Sequence, residues 1–518
     1  MSDLSDSGRL REFVGPEWAA QIEALEDRFR TATTAALRGG GAAHAGSPVT
    51  GPARSATTEL RAPDRGAALD YDVLLAGGGL SLLYAVALSG LGFRVAVADP
   101  RGVGRGHREW NASTAELQAL AGIPGLGLPT SPGTPDPSDK PEDLDKPEDL
   151  IVARYRRGIV RFAGGPEHSV RGVLDAAVDA QALLDRLKAR AIELGVTLFE
   201  SDAVGDFATG PNGIAARLGA GAVTARLVLD GRGAASPLAR WDLVCPTVGG
   251  VLEGLEHDPE VGEILVTVDG ARDGVQPIWE SFPGRRGELT TYLFEYREPG
   301  ALEPRPLTAL YARFVESLPR YKRGAARLIR PAFGFIPACS RLRPRATSPM
   351  DRVLLVGDAA GRHSPLTFCG FGSALRSFGP VSARIAGLLQ ESRARGSADE
   401  GRLGRRALES CWTEPGSLAI HGAMALMMID RGGLGTASDP QAINRLLEAA
   451  FAALESQGEP AFRAFLQDSA EPRSVVRMLR DTARAVPQVY GAALRNLRAA
   501  ELAALLGRFA SFAAGARA

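Results

Sequence analysis

Residues 71–99 restrict the possible folds more than any other stretch. Tyr71–Ala76 is an apolar run short enough for a buried strand, and Gly77-Gly78-Gly79 breaks it. Leu80–Leu91 has helical spacing, and Phe93–Ala98 is a second apolar run that stops at Asp99. Strand, turn, helix and strand in about 30 residues form a βαβ unit, which needs a parallel sheet around it. Gly77 and Gly79 take the first two positions of a dinucleotide fingerprint, with Gly78 between them. Leu82 stands where the third glycine is expected, which weakens close helix–strand packing. Asp99 lies about 20 residues further on, where an acid reaches a ribose hydroxyl.

Two other strand ends carry related signals. Val353–Val356 is followed by Gly357-Asp358, a glycine-punctuated loop containing Ser364-Pro365, and a helical run from about Gly372. An aspartate there can accept hydrogen bonds from ribitol hydroxyls, and the amides of a helix start suit negative charge. Gly357, Asp358, Pro365, Gly370 and Gly372 are therefore candidate flavin contacts. Val223–Leu229 ends in Asp230-Gly231-Arg232-Gly233, a form met near the adenine–ribose side of large flavoproteins, so Asp230 joins the candidates. Arg101–Ser113 directly follows the ribose acid. Arg105, Arg108 and Asn111 are placed to contact phosphate or the flavin edge, with a solvated loop as the alternative reading.

Composition narrows the class. Lys+Arg and Asp+Glu are both 60, and a net charge of zero argues against a nucleic-acid binder. Cys245, Cys339, Cys369 and Cys411 are widely separated, with no CxxC and no zinc spacing, so no metal site is expected. They read as reduced thiols of a cytoplasmic protein, where the triplet Asn111-Ala112-Ser113 is a chance glycosylation match. The N-terminus lacks the apolar core of a secretory signal, and no run is long enough to span a membrane.

The chain of 518 residues suggests about three domains. Residues 1–37 read as an N-terminal helix and 38–68, rich in small residues and proline, as a flexible linker. Residues 69–240 and 341–395 form the dinucleotide domain, including an amphipathic helix over Gln181–Leu194. Within it, 122–150 is rich in proline and aspartate and repeats DKPEDL at 139–144 and 145–150, the mark of a disordered insert. In 241–340, alternation at Ile264, Val266, Val268 and at Leu289, Thr291, Leu293 predicts an antiparallel substrate sheet. Residues 396–518 read as helical. Their end, 484–518, holds five arginines against Glu501, with Tyr490, Leu494, Leu497, Leu502, Leu505, Leu506 and Phe509 at near-helical spacing. Such a basic amphipathic helix packs onto the body of the protein or lies on a membrane surface.

Three nucleotide-site elements in this order resemble the FAD-binding fold of the hydroxylase and lycopene-cyclase type. The resemblance narrows to the CruA/CruP-type lycopene cyclase family. It is carried by Gly104-Arg105, Arg108–Asn111 and Ser113; by Trp279–Pro283 (WESFP), Thr290–Tyr296 (TTYLFEY), Pro319-Arg320-Tyr321 and Gly334–Pro337. Gly357–Gly361 (GDAAG), Ser364-Pro365, Phe368, Gly370–Ser373, Gly458-Glu459-Pro460 and Phe465–Asp468 (FLQD) continue it. The likeness covers roughly 70 to 510. It implies an α/β fold: a Rossmann-like FAD-binding domain, an antiparallel substrate sheet and a C-terminal helical region. It further implies a cytoplasmic flavoprotein, peripheral to the inner face of the membrane, that works with reduced FAD, NAD(P)H as reductant, a lycopene-like carotenoid and other carotenoid enzymes.

The implied reaction closes β-rings at the ends of lycopene without net redox change. It needs a proton donor in apolar surroundings and negative charge near the carbocation. A buried carboxylic acid has a raised pKa and can donate. Glu295 in TYLFEY and Glu280 in WESFP are the candidate acids, and Glu295 shares a strand face with Leu289 and Leu293. The helix start at Gly370–Ser373 suits an anionic flavin, and His363 in the flavin loop could donate to it. Three alternatives stay open, since fold does not fix chemistry: a flavin monooxygenase, a reductase of isoprenoid double bonds, and a carotenoid-binding flavoprotein without catalysis. The WxWxIP signature of flavin halogenases is absent.

Overall fold

The structure, a computed structural model, describes residues 5–38, 60–106, 109–121, 123, 150–272, 274–285, 287–342, 347–367, 369–395, 402–413, 418–429, 431, 434 and 439–515. Arg108, Phe368, most of the 38–68 linker and nearly all of the 122–150 insert lie outside these residues.

The first sheet runs Thr197–Glu200, Val95–Asp99, Tyr71–Ala76, Gly221–Asp230, Ile214–Leu218, Val204–Thr209, with Val353–Leu355 also paired to Gly221–Asp230. The long strand Gly221–Asp230 organises it. Its first half pairs antiparallel with Ile214–Leu218, and its second half pairs parallel with Tyr71–Ala76 on one side and Val353–Leu355 on the other. Three of the parallel strands therefore end side by side at Ala76, Asp230 and Leu355. The helices Leu82–Gly90, Ala180–Glu193 and Gly370–Arg395 bury one face through residues such as Leu82, Leu83, Leu184, Leu187 and Leu389.

The second sheet runs Gly324–Ala338, Leu243–Leu255, Glu288–Phe294, Ile278–Pro283, Val261–Val266, Arg157–Arg161, Glu167–Val170. Its neighbours are antiparallel except for Val261–Val266 with Arg157–Arg161. The sheet thus takes two strands from 157–170, ahead of the 241–340 stretch.

Period-2 alternation splits this sheet between two cores. Val244, Val248, Trp279, Leu289 and Leu293 point to one side, under the helices Asp6–Val14, Pro16–Arg38 and Pro306–Tyr321. Cys245, Ile278, Phe282, Phe294 and Tyr296 point to the other, where Leu418–Met427 and the C-terminal helices cover them. The N-terminal region is two helices rather than one, broken at Gly15 with φ 85°. Glu26 locks it in place: its carboxylate accepts from the amides of Leu307 (2.7 Å) and Thr308 (2.9 Å), capping the Pro306–Tyr321 helix from outside.

The expected single amphipathic helix at 484–518 is divided among Pro472–Ala485, Pro487–Arg495 and Ala499–Gly515. Proline at the first position of Pro487–Arg495 sets the first of these breaks. Leu497 is buried, and Tyr490, Leu494, Leu502, Leu505 and Phe509 pack on the core beneath. Leu506 is left 62 % exposed. No helix among the described residues is long and apolar enough to cross a membrane.

Candidate functional site

The three glycine turns separated by sequence meet at the carboxyl ends of the parallel strands. Gly77 has φ 102°, and a β-carbon there would lie 2.9 Å from the backbone of Gly231. A β-carbon on Gly231 would lie 2.8 Å from Ser81 and 3.4 Å from Val356; one on Gly233 would lie 3.7 Å from Asp358. Gly370 completes the ring, 3.8 Å from the Asp358 carboxylate by the same measure. Glycine at 77 is thus required by the approach of the Gly231 backbone, and at 231 by the Ser81 side chain. Gly79 differs: a β-carbon there meets nothing within 4 Å. The first backbone bonds of the following helix run from the amides of Leu82 and Leu83. The amides of Gly79 and Leu80 precede them at the helix N-terminus, the arrangement that suits a pyrophosphate.

The acids around these turns have different tasks. Asp99 sits beside the glycine turn, its oxygens accepting from the amides of Gly78 (2.9 Å) and Arg101 (2.8 Å). It fixes the turn that a ribose would approach. Asp230 is fully buried and accepts from Arg232 (2.7 Å) and from the Ser236 hydroxyl (2.6 Å), so it holds the DGRG turn together. Arg105 lies beside Gly102 and Glu200, on the far side of the turn. Asp358 is half-exposed, with the buried His363 ring 3.9 Å away. Pro365 lies buried in the loop between Asp358 and Gly370. Gly372 leaves room for Glu116, which a β-carbon there would overlap. Asn111 Oδ1, His363 Nε2 and Thr367 Oγ1 are buried without hydrogen-bond partners among the described residues. Buried polar atoms of this kind around glycine turns fit a site completed by a polar ligand.

The second sheet packs against the turns at Gly233–Ala235 and Gly357–Ala360 through Gly324–Ala338, and a hydrogen bond adds to this packing. The Tyr296 hydroxyl donates to the Leu366 carbonyl at 2.8 Å, tying the sheet to the loop after Gly357-Asp358. Glu280 lies on the same sheet face as Tyr296. Its cross-strand partner is Tyr292, and Ile278 and Phe282 flank it along the strand. Its carboxyl has no hydrogen-bond partner among the described residues, and burial alone pushes its pKa up to about 8. It nevertheless keeps some accessible surface. Its charge acts on Cys245, Tyr296 and Cys369, which places it at the junction of sheet and loop.

Glu295 lies on the opposite face. Its oxygens accept from Arg297 (2.7 Å) and Arg313 (2.5 Å), and it anchors the strand end to the Pro306–Tyr321 helix. Strand alternation explains the separation: 280 belongs with Ile278 and Phe282, 295 with Leu289 and Leu293. With both oxygens bonded to guanidinium groups, Glu295 does not stand as an unpaired buried acid of the kind expected for it.

Sequence reading passed over a second polar group near the loop. Ser364 Oγ lies 2.8 Å from His421 Nδ1, and Asp468 Oδ1 lies 3.0 Å from the same nitrogen. Three separate segments meet there, and neither spacing nor periodicity announces it. A cleft of about 450 Å³ opens nearby, lined by Ser113, Glu116, Arg376, Phe378, Gln467 and Ser469 among others; Glu280 does not line it.

No protein-family profile and no curated protein matches the sequence. Solved structures do resemble it. A geranylgeranyl bacteriochlorophyll reductase-like protein from Thermoplasma acidophilum aligns at 16% identity, over 82% of this chain and 99% of its own, with a TM-score of 0.50. The halogenase PltM aligns at 14% identity over 85% and 96%, with a TM-score of 0.51. A variant of that halogenase, solved in complex with FAD, gives 15%, 85% and 96%, also at 0.51. At these identities the likeness shows a shared fold: mixed α/β, with parallel and antiparallel sheets and a C-terminal helical region.

Proposed function

We propose that the chain is a flavoprotein that binds FAD across the carboxyl ends of its parallel strands and uses Glu280 as a buried general acid on an apolar isoprenoid. The observation that carries this reading is the Glu280 carboxyl, without a hydrogen-bond partner among the described residues, on the sheet face that meets the flavin loop. Gly77, Gly78 and Gly79 take the pyrophosphate, with Asp99 holding the turn. Asp358 and the helix start at Gly370–Gly372 face the ring system, where amides and helix dipole favour negative charge. Reduced FAD, when bound, supplies negative charge beside the reacting carbons.

Glu280 holds its proton at neutral pH because burial disfavours the carboxylate. On a lycopene-like polyene it protonates the terminal double bond, the neighbouring alkene attacks the resulting cation and closes the ring, and a base takes up the proton lost from the ring carbon to leave the β-ring double bond. Phe282, Tyr292 and Phe294 share its face or adjoin it, and aromatic faces stabilise a cation. NAD(P)H serves only to keep the flavin reduced. A membrane surface is the proposed source of so apolar a substrate, with the exposed Leu506 and neighbouring arginines turned toward it. Other carotenoid enzymes are proposed partners there.

A second reading keeps the same acid. In the saturation of an isoprenoid double bond, Glu280 gives the proton and one NAD(P)H is consumed per turnover. The fold shared with the reductase-like protein favours it. Nicotinamide consumption measured against product separates the two: catalytic amounts for a cyclase, equimolar for a reductase. A monooxygenase would consume oxygen as well. A carotenoid binder without catalysis would be unaffected by Glu280→Gln while keeping its flavin, and that outcome would end both enzymatic readings.

A further inference from the structure

The C-terminal helices carry a one-sided charge. Residues 472–498 hold six arginines against one acid, Asp481, in a chain whose net charge is zero. Four of the six, Arg473, Arg477, Arg480 and Arg484, fall at i, i+4, i+7 and i+11 on the helix Pro472–Ala485, and all four are exposed. This spacing sets them in one row along about 16 Å of helix. The opposite face holds Val475, Met478 and Thr482, which are buried. Arg480 and Arg484 share Asp481, at 2.8 and 3.6 Å, and Arg473 and Arg477 have no ion-pair partner among the described residues. Like charges one helical turn apart repel, so the row weakens the helix that bears it unless an anion lies against it.

The helix Ala499–Gly515 extends this surface. It packs against Pro472–Ala485 and against Leu418–Met427, one of the helices over the Glu280 face of the second sheet. Leu502 and Leu505 pack on the core. Its exposed residues, Ala503, Leu506, Gly507 and Ala510 among them, include no charged side chain among those described. Val476, on the helix of the arginine row, is 43 % exposed, and Leu506 is 62 % exposed.

We propose that these two helices form a docking face for anionic phospholipid, with the arginine row on headgroup phosphates and Val476 and Leu506 at the acyl boundary. Guanidinium groups bind phosphate through paired N–H donors, which suits a row made of arginine alone. The uncharged aliphatic face favours lipid over nucleic acid. It has an apolar boundary to enter in a bilayer, whereas the exposed described residues of these helices offer a base no aromatic ring to stack on. The inference rests on the reading that a membrane supplies the apolar substrate, and it gives that membrane a negative charge.

Sedimentation of the purified, flavin-loaded chain with vesicles tests it. Vesicles of phosphatidylcholine are compared with vesicles that also contain phosphatidylglycerol. The chain should sediment with the mixed vesicles, far less with the neutral ones, and added salt should release it. The triple variant Arg473→Gln, Arg477→Gln, Arg484→Gln places a good helix former at three exposed positions. It should keep its flavin and bind mixed vesicles about a hundredfold more weakly, at about fivefold per arginine. A control triple, Arg30→Gln, Arg156→Gln, Arg327→Gln, removes the same charge from exposed positions elsewhere and should bind as the parent does. An equal loss in both triples overturns the site, because net charge alone then explains it. Salt-insensitive binding to both kinds of vesicle, unchanged in the first triple, overturns the arginine row and leaves the membrane source standing. Binding to neither kind overturns both and leaves the flavin and Glu280 readings intact. A duplex oligonucleotide bound as tightly as mixed vesicles, and lost in the first triple, overturns the choice of lipid.

Discussion

At the scale of single residues, the two glutamates illustrate what environment does to one functional group. Glu280 faces apolar and aromatic neighbours without a partner, whereas Glu295 is held by two arginines. Glu280→Gln is expected to lower turnover by at least about a hundredfold, the usual scale for losing a general acid, with flavin absorbance unchanged. It should also change stability in a pH-dependent way. The folded chain keeps a proton on Glu280 up to about pH 8, while the unfolded chain releases it above its ordinary value of 4.5. The associated stability is full below that ordinary value and is lost as pH rises through the folded one. The glutamine variant escapes this loss. Its advantage in urea unfolding should grow from about pH 5 to about pH 8, by on the order of 1–3 kcal/mol. Glu295→Gln should do the reverse, costing about 1–3 kcal/mol at neutral pH because it leaves two part-buried guanidinium groups with Glu303 as their remaining carboxylate. Strand alternation in the sequence shows that Glu295 shares a face with Leu289 and Leu293. It does not show which face meets the glycine turns. That depends on what the N-terminal and C-terminal helices cover, and no local pattern carries it.

At the scale of elements, the N-terminal helices are a structural lid on the second sheet. Their residues Leu10, Val14, Ala19 and Ile22 bury the side that Val248, Trp279 and Leu293 present. Glu26→Ala should cost about 1–2 kcal/mol, the range for losing a helix cap, read as a lower urea midpoint with an unchanged slope. Gly77 is a second element-scale case. Alanine there must accept a φ of 102° and a contact of 2.9 Å with Gly231. Gly77→Ala should lose bound flavin while far-ultraviolet dichroism stays near that of the parent, since only the turn is displaced. Gly79→Ala, with open space around it, should fold as the parent does, and any loss it shows should be in flavin affinity alone. The βαβ unit and its turn were legible because strand, glycines and helix are contiguous. The helix break before Pro487 was legible in principle, through proline at the first helical position, but the near-helical apolar spacing across 484–518 masks it.

At the scale of the whole molecule, function depends on two sheets built from interleaved sequence. The parallel sheet gathers Gly77, Gly231 and Gly357 at one edge because Gly221–Asp230 pairs with strands on both sides. The second sheet is held against that edge by the packing of Gly324–Ala338 and by the Tyr296–Leu366 bond, which brings Glu280 beside the loop. Sequence reading located the glycine turns and both glutamates, since each sits in a local pattern. The two strands from 157–170 and the convergence of Ser364, His421 and Asp468 arise from long-range pairing that no local pattern encodes. The most direct test of the account is expression in a lycopene-accumulating bacterium, with chromatography of the pigments and the purified protein checked for flavin. The account expects β-ring products from the parent chain and unaltered lycopene from Glu280→Gln at equal flavin content. Unaltered lycopene from a soluble, flavin-loaded parent chain, or equal ring formation by the glutamine variant, would contradict it.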